Sequence, residues 1–197
     1  MIRSVLTLAL ALVAGPALAV TAGTAAPDFS AADSNGKTVK LSDYKGKFVV
    51  LEWTNPECPF VRAQYGADAM QALQKEAGAR QVVWLTVNST SKSSDEYKSG
   101  AQMNAWMKEK GAAQSAILID ATSETGRAYD AKTTPHMFVI DPAGKIVYAG
   151  AIDDKRSARE SDRKTANNYV RAALGETLAG KPVTVASTTP YGCSVKY

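Results

Sequence analysis

Short apolar runs alternate with amphipathic helical stretches along most of this chain, and that alternation is the strongest constraint on its fold. Lys47-Phe48-Val49-Val50-Leu51-Glu52-Trp53 is a near-continuous apolar run with one acid inside it, the pattern of a central strand covered on both faces. Pro59 to Ala77 follows, with Val61, Tyr65, Ala69, Ala72 and Leu73 on one helical face and Gly78 as the natural stop. Val82 to Val87 reads as the next strand. Ser93 and Glu96 have the spacing of a capping box, opening a helix that carries Met103, Trp106 and Met107 and ends at Gly111. A short strand at Ala116 to Ile119 and a helix around Glu124 to Tyr129 come next. Two strands, His136 to Ile140 and Lys145 to Tyr148, are joined across Asp141-Pro142-Ala143-Gly144, and a last helix covers roughly Glu160 to Leu178. Near the start, Asn35-Gly36 sits between two strand-like stretches and predicts a hairpin. Strands alternating with helices predict an α/β layered domain: a central mixed sheet, helices on both faces, and an antiparallel edge from the closing hairpin.

The two ends of the chain read differently from this middle. Arg3 gives a positive start, Ser4 to Gly15 is apolar, and Ala17-Leu18-Ala19 is a small-x-small cleavage signal, together the pattern of a secretory signal peptide cut after Ala19. The apolar run is about a dozen residues, short of the roughly 20 that span a bilayer. No cysteine follows the cleavage site to take a lipid, so no stable membrane anchor is expected. The reading divides the chain into residues 1–19, a domain over 20–180 and a tail over 181–197, and places the product in the periplasm or outside the cell.

Losing the signal removes only Arg3, so the net charge falls from +4 to +3. The densest charged run, Asp153-Asp154-Lys155-Arg156 through Asp162-Arg163-Lys164, alternates in sign, which describes a solvated face and not a nucleic-acid patch. One histidine and two cysteines supply no metal set with zinc spacing, and no cofactor is expected.

The chemistry then rests on the cysteines. Cys58 lies in Asn55-Pro56-Glu57-Cys58-Pro59-Phe60-Val61-Arg62, at the junction of strand and helix, with Pro59 at the favoured first helical position. Unpaired backbone N–H groups and the helix dipole favour negative charge there, and the thiolate is the nucleophilic form of a cysteine. The flanking prolines and Glu57 predict an exposed loop. The alternative is a buried cysteine acting as a small hydrophobe.

Three stretches carry a resemblance: Leu51-Glu52-Trp53-Thr54-Asn55-Pro56-Glu57-Cys58-Pro59, Thr133 to Lys145, and Tyr191-Gly192-Cys193. From about Ala26 to Gly180 the chain resembles the thioredoxin superfamily, and within it the secreted peroxiredoxin-like group of alkyl hydroperoxide reductase/thiol-specific antioxidant proteins. The resemblance implies a thioredoxin-like fold and a thiol oxidoreductase acting on a hydroperoxide or a protein disulfide, reduced in turn by an unidentified thiol reductant. It implies Cys58 as the attacking cysteine, Thr134-Pro135 as the Thr–cis-Pro step facing it, and Glu52 as a buried acid that handles protons. Thr54, Pro59 and Arg62 are the further residues it places around the substrate. The chain departs from the pattern at Val61, where related dithiol proteins carry a second cysteine. It departs also at Leu51, Asn55 and Pro135, where peroxiredoxins carry a Pro, a Thr or Ser, and a peroxide-holding Arg. His136 in a Cys–His pair would activate a thiol, but following Pro135 into a strand it reads as structural.

The tail contains Cys193, the only other sulfur nucleophile, and lacks helical periodicity. Pro182 to Cys193 extends about 36 Å at roughly 3.3 Å per residue, against a radius of gyration near 16 Å for a domain of this size. Cys193 can therefore reach Cys58. Three roles stay open for it: a resolving thiol that forms Cys58–Cys193 during turnover, half of a permanent staple in a non-catalytic binding or structural module, or a free or interchain cysteine.

Overall fold

The structure, a computed structural model, describes residues 20–197; the signal-peptide reading of residues 1–19 lies outside the described residues. The chain enters through a hairpin, β1 (Ser30–Ala32) and β2 (Thr38–Lys40), turned at Gly36, whose φ of 85° is a left-handed value that glycine adopts without strain. There follow β3 (Val49–Trp53), α1 (Pro59–Gly66), α2 (Ala69–Ala79), β4 (Val83–Asn88), α3 (Gly100–Glu109), β5 (Ala116–Ile119) and α4 (Glu124–Ala128). The second half contains β6 (Thr133–Thr134), β7 (His136–Ile140), β8 (Ile146–Gly150), α5 (Tyr169–Leu178) and β9 (Cys193–Ser194).

The central sheet has the order β5-β4-β3-β7-β8. β3 runs parallel to β4 and β4 to β5, while β7 is antiparallel to both β3 and β8. The sheet is mixed, as the strand–helix alternation predicts. β3 shows why it sits in the centre. Val49, Leu51 and Trp53 point into one core with Leu85, Val87, Tyr129 and Phe138, whereas Val50 points into the other with Val61, Leu73 and Trp84. Both cores are needed to hide the strand, and each large side chain so buried contributes about 1.5–3 kcal/mol. The first core is closed by the hairpin and α4. The second, larger core takes α1, α2, α3 and α5, so helices lie on both faces, unevenly shared.

Local detail departs from the sequence pattern at four places. The single helix predicted from Pro59 divides at Ala67 and Asp68, and Asp68 takes a left-handed φ of 56°. The break resets the helical phase, so α2 buries Met70, Leu73 and Ala77 while Ala72 is exposed, and Gly78 lies inside the helix. The capping box belongs to Ser99 and Gln102, not to Ser93 and Glu96: Ser99 Oγ accepts from Gln102 N at 3.3 Å and Gln102 Oε1 accepts from Ser99 N at 2.8 Å. The last helix starts only at Tyr169, capped by the Asn168 side chain, and is preceded by a 3-10 turn over Glu160–Thr165. Within the alternating charged run, Asp153 and Arg163 are buried and paired with each other instead of solvated.

Both open edges of the sheet are covered. On the β5 side Ser34 N donates to Ile117 O at 2.8 Å. On the β8 side the tail bridges Ala149 to Ser187, and Thr188 packs so tightly against Gly150 that a Cβ there would lie 2.3 Å from Thr188 Oγ1. From Thr188 the tail continues as a strap across the end of the molecule that carries Cys58. No helix among the described residues is long and apolar enough to cross a membrane.

Candidate functional site

The parallel strand β3 ends at Trp53, and the loop that follows turns the chain into α1. Asn55 organises this loop. Its side-chain oxygen accepts from Glu57 N at 2.8 Å, its amide donates to Glu96 Oε2 at 2.9 Å, and its carbonyl accepts from Cys58 N at 3.0 Å. Cys58 is the N-cap of α1 in extended conformation, with Pro59 as the first helical residue. The junction is where the apolar strand and the amphipathic helix place it.

Cys58 is nevertheless not exposed. Its relative accessibility is 1%, and it packs in the helix-side core with Val61, Tyr65 and Tyr191. The exposed loop expected from the prolines and Glu57 is not found: Asn55 and Pro56 are buried with Cys58, Glu57 is half-buried and only Pro59 is exposed, because the strap packs over the cysteine. β9 pairs antiparallel with β6 so that Cys193 stands opposite Thr134 and Ser194 opposite Thr133. The Thr134–Pro135 peptide is cis, and the Cys58 thiol donates to the Thr134 carbonyl at 2.9 Å. Cys193 lies beside the Cys58 sulfur; both are free thiols. Burial first, then the neighbouring Cys58 sulfur, push the Cys193 thiol up to about 12. In neutral water Cys193 therefore keeps its proton. The part of this restraint that comes from Cys58 disappears once Cys58 has entered a covalent bond and carries no charge, while the part due to burial remains.

Glu52 is wholly buried, as its apolar neighbours predict. It alternates out of β3 toward the helices and accepts from Trp84 Nε1 at 2.8 Å, Tyr65 Oη at 2.9 Å, Thr86 Oγ1 at 3.1 Å and Gln74 Nε2 at 3.2 Å. Four donors favour the carboxylate, yet loss of water outweighs them and raises its pKa to about 7. One of these donors, Tyr65, belongs to the helix that Cys58 caps; neither sulfur is among them.

Thr54 is 1% exposed; its backbone N–H donates to Val87 O and its hydroxyl has no partner among the described residues. Arg62 turns away from the sulfurs. Its Nε donates to Pro56 O at 2.6 Å and its head group pairs with Glu57, which also takes Lys98 at 2.7 Å. These three charges edge a depression of about 250 Å³ floored by Pro56 and Trp106, beside the Cys58 loop. His136 is buried and accepts from Lys132 N at 3.2 Å, and burial lowers its pKa to about 4, so it is a neutral structural residue.

A group that charge patterning conceals completes the site. Asp153 and Arg163 pair at 2.6 Å with both side chains 2% exposed, and Tyr191 of the strap joins them. The only sequence signal for this cluster is the position of Tyr191, two residues before Cys193.

Residues 22–149 match the family described as AhpC/TSA. The thiol-disulfide oxidoreductase ResA of Bacillus subtilis (strain 168) is 28% identical over 128 residues, 65% of this chain; the chain spans 66% of that relative's length. An uncharacterized conserved protein from Geobacillus kaustophilus superposes with a TM-score of 0.77 at 29% identity, over 90% of this chain and 93% of that one. The exposed lipoprotein thioredoxin Etrx1 of Streptococcus pneumoniae strain TIGR4 superposes with a TM-score of 0.52 at 29% identity, over 71% of this chain and 99% of that one. The fold is thioredoxin-like.

Proposed function

The chain belongs to the AhpC/TSA family, and from that premise we propose that it is an exported thiol oxidoreductase in which Cys58 and Cys193 are the working pair. The observation that carries the reading is the β6–β9 ladder, which holds Cys193 opposite Thr134 while the Thr134 carbonyl accepts from Cys58. Two cysteines 135 positions apart in sequence are thereby neighbours at the start of a helix.

In the reaction with a disulfide, the Cys58 thiolate attacks one substrate sulfur. A Cys58–substrate bond forms and the other substrate sulfur leaves as a thiolate. Cys193 then gives up its proton and attacks the Cys58 sulfur, forming Cys58–Cys193 and releasing the second substrate thiol. The substrate disulfide is reduced by two electrons and the protein dithiol is oxidised. The burial that raises the Cys193 pKa favours this order, with Cys58 at the start of α1 attacking first. A thiol reductant closes the cycle by exchange with Cys58–Cys193. Glu52, half-protonated near neutrality, is the proton-holding acid of the core behind α1. Pro59 fixes the start of the helix, Thr134 and Pro135 shape the floor under the sulfurs, and Thr54 and Arg62 brace the loop that carries Cys58, Thr54 from within and Arg62 through Pro56 and Glu57.

The family match favours a second substrate, a hydroperoxide, which would convert Cys58 to a sulfenic acid with release of an alcohol or water. Cys193 would condense with that acid, expelling water. Against it, Pro135 occupies the position of the peroxide-holding arginine, so the usual stabiliser of charge on the O–O bond is missing. Disulfide exchange is the better supported of the two.

The test mixes reduced protein with oxidised glutathione or with hydrogen peroxide and follows both cysteines by mass spectrometry. Disulfide exchange predicts rapid loss of two hydrogens as Cys58–Cys193 with the first reagent. Peroxide consumption no faster than that of free cysteine ends the peroxidase reading. Two thiols that survive both reagents end the catalytic one, leaving a binding or structural module.

A further inference from the structure

We propose that Tyr191, locked to the buried Asp153–Arg163 pair, is a positioning residue that sets Cys193 against Cys58 and thereby fixes how readily their disulfide forms. The proposal rests on the reading of Cys58 and Cys193 as a working pair and adds what controls it.

Tyr191 is 5% exposed. Its hydroxyl donates to Asp153 Oδ1 at 2.5 Å and accepts from Arg163 Nη1 at 3.0 Å. The other carboxylate oxygen of Asp153 accepts from Arg163 Nη1 at 2.6 Å and from Gln64 Nε2 at 2.7 Å, while Arg163 Nη2 donates to the carbonyls of Lys155 and Ser157. The Tyr191 ring meets Phe60 edge-on with centroids 5.8 Å apart. Phe60 and Gln64 both belong to α1, the helix that Cys58 caps. The anchor of the strap is therefore referenced to the same helix as the nucleophile, and it lies two residues from the partner sulfur.

The intervening residue leaves no slack. Gly192 has a φ of 133°, and a Cβ there would lie 2.0 Å from the Thr134 carbonyl oxygen. The strap crosses Thr134 in backbone contact, with Tyr191 fixed on one side and Cys193 delivered on the other.

The energetic consequence follows from linkage. The lock and the Cys58–Cys193 bond both require the closed strap. With the lock broken, the dithiol form can relax by releasing the strap, but the disulfide form cannot, because it stays tethered. The local concentration of Cys193 at Cys58 falls, and with it the equilibrium constant for oxidation. A hydrogen bond to a buried charge corresponds to roughly a tenfold change or more.

The experiment equilibrates full-length wild type, Y191F and G192A with mixtures of reduced and oxidised glutathione, and measures the fraction present as Cys58–Cys193. Y191F keeps the ring on Phe60 and removes only the hydroxyl; G192A lifts the strap at Thr134 without touching the ion pair. The expected result is an oxidation constant reduced roughly tenfold or more in both, with faster alkylation of Cys58 in their dithiol forms. A purely structural role would lower the melting temperature of both redox forms and leave the constant unchanged; that outcome, with the wild type forming the bond, overturns the proposal. If Y191F does not fold, F60L, which removes the ring that Tyr191 meets edge-on, replaces it as the variant that loosens the anchor; an unchanged constant there overturns the proposal. If wild type forms no Cys58–Cys193 bond, the reading of the pair itself fails, and the proposal with it.

Discussion

Thr134 and Cys193 face each other across a two-residue antiparallel ladder, and the same Thr134 carbonyl accepts the Cys58 thiol. One peptide unit thus holds both sulfurs in register, one through strand pairing and the other through a side-chain hydrogen bond. The arrangement gives the two cysteines different duties. Cys58 begins a helix, while Cys193 rides on a segment whose position depends on its anchors.

Substituting each sulfur in turn separates those duties. C193S is expected to accumulate a stable mixed adduct of Cys58 with glutathione, because the first exchange proceeds and the second cannot. C58S is expected to form no adduct at Cys193 at comparable speed, since burial, the largest cause of that thiol's raised pKa, does not depend on Cys58. Intact-mass measurement of both variants after the same exposure to oxidised glutathione checks the assignment; equal labelling of the two would contradict it.

Glu52 makes stability depend on pH in an unusual direction for a carboxylate. Its folded pKa, about 7, lies above the ordinary 4.5 of a glutamate. Between those values the folded state retains a proton that the unfolded state has released, so stability is full below about pH 4.5 and falls until about pH 7. The fall amounts to about 3 kcal/mol at most. Denaturant titrations from pH 5 to pH 8 are expected to show it, and E52Q is expected to flatten that part of the curve.

The Asp153–Arg163 pair is a liability when halved. D153A leaves the Arg163 guanidinium buried without its counter-charge and is expected to cost about 3–5 kcal/mol. Replacing both residues by apolar side chains of similar volume is expected to cost less than D153A alone. Urea unfolding of the dithiol forms measures both.

Val61 offers a way to rebuild a local dithiol. It sits three residues beyond Cys58 in the first turn of α1, fully buried in the helix-side core. V61C is a small change in an apolar site, and the spacing matches that of dithiol relatives. In a C193S background it is expected to restore disulfide formation without the strap, detected by loss of both thiols on mild oxidation. Retention of two free thiols would show that the helix start cannot close that bridge.

Much of the architecture was legible because it depends on local pattern. The apolar run around Glu52 announced both the central strand and a buried acid, since no surface strand surrounds a carboxylate with Val49, Val50, Leu51 and Trp53. Cys58 was placed correctly at the helix start by Pro59. Its burial was not legible, because the covering atoms come from Tyr191 and Cys193, more than a hundred residues away. Asp153 and Arg163 were hidden for a related reason: alternating charge describes a solvated face, and neither their pairing with each other across ten residues nor the tail tyrosine that joins them is written in that pattern. The helix starts misplaced at Ser93 and Glu160 show how weak a cap signal is when several polar residues compete nearby. Ser99 with Gln102, and Asn168, make the side-chain caps.

The strap has a second job that limits how far it can swing. Ala186 to Thr188 complete the hydrogen bonding of Ala149 on β8, the outermost strand on that side. A bare outer strand is a template on which other chains polymerise. An opening that left this pairing intact would pivot beyond Thr188, around Thr189 and Pro190, and would uncover Cys58 while Ala149 kept its partners.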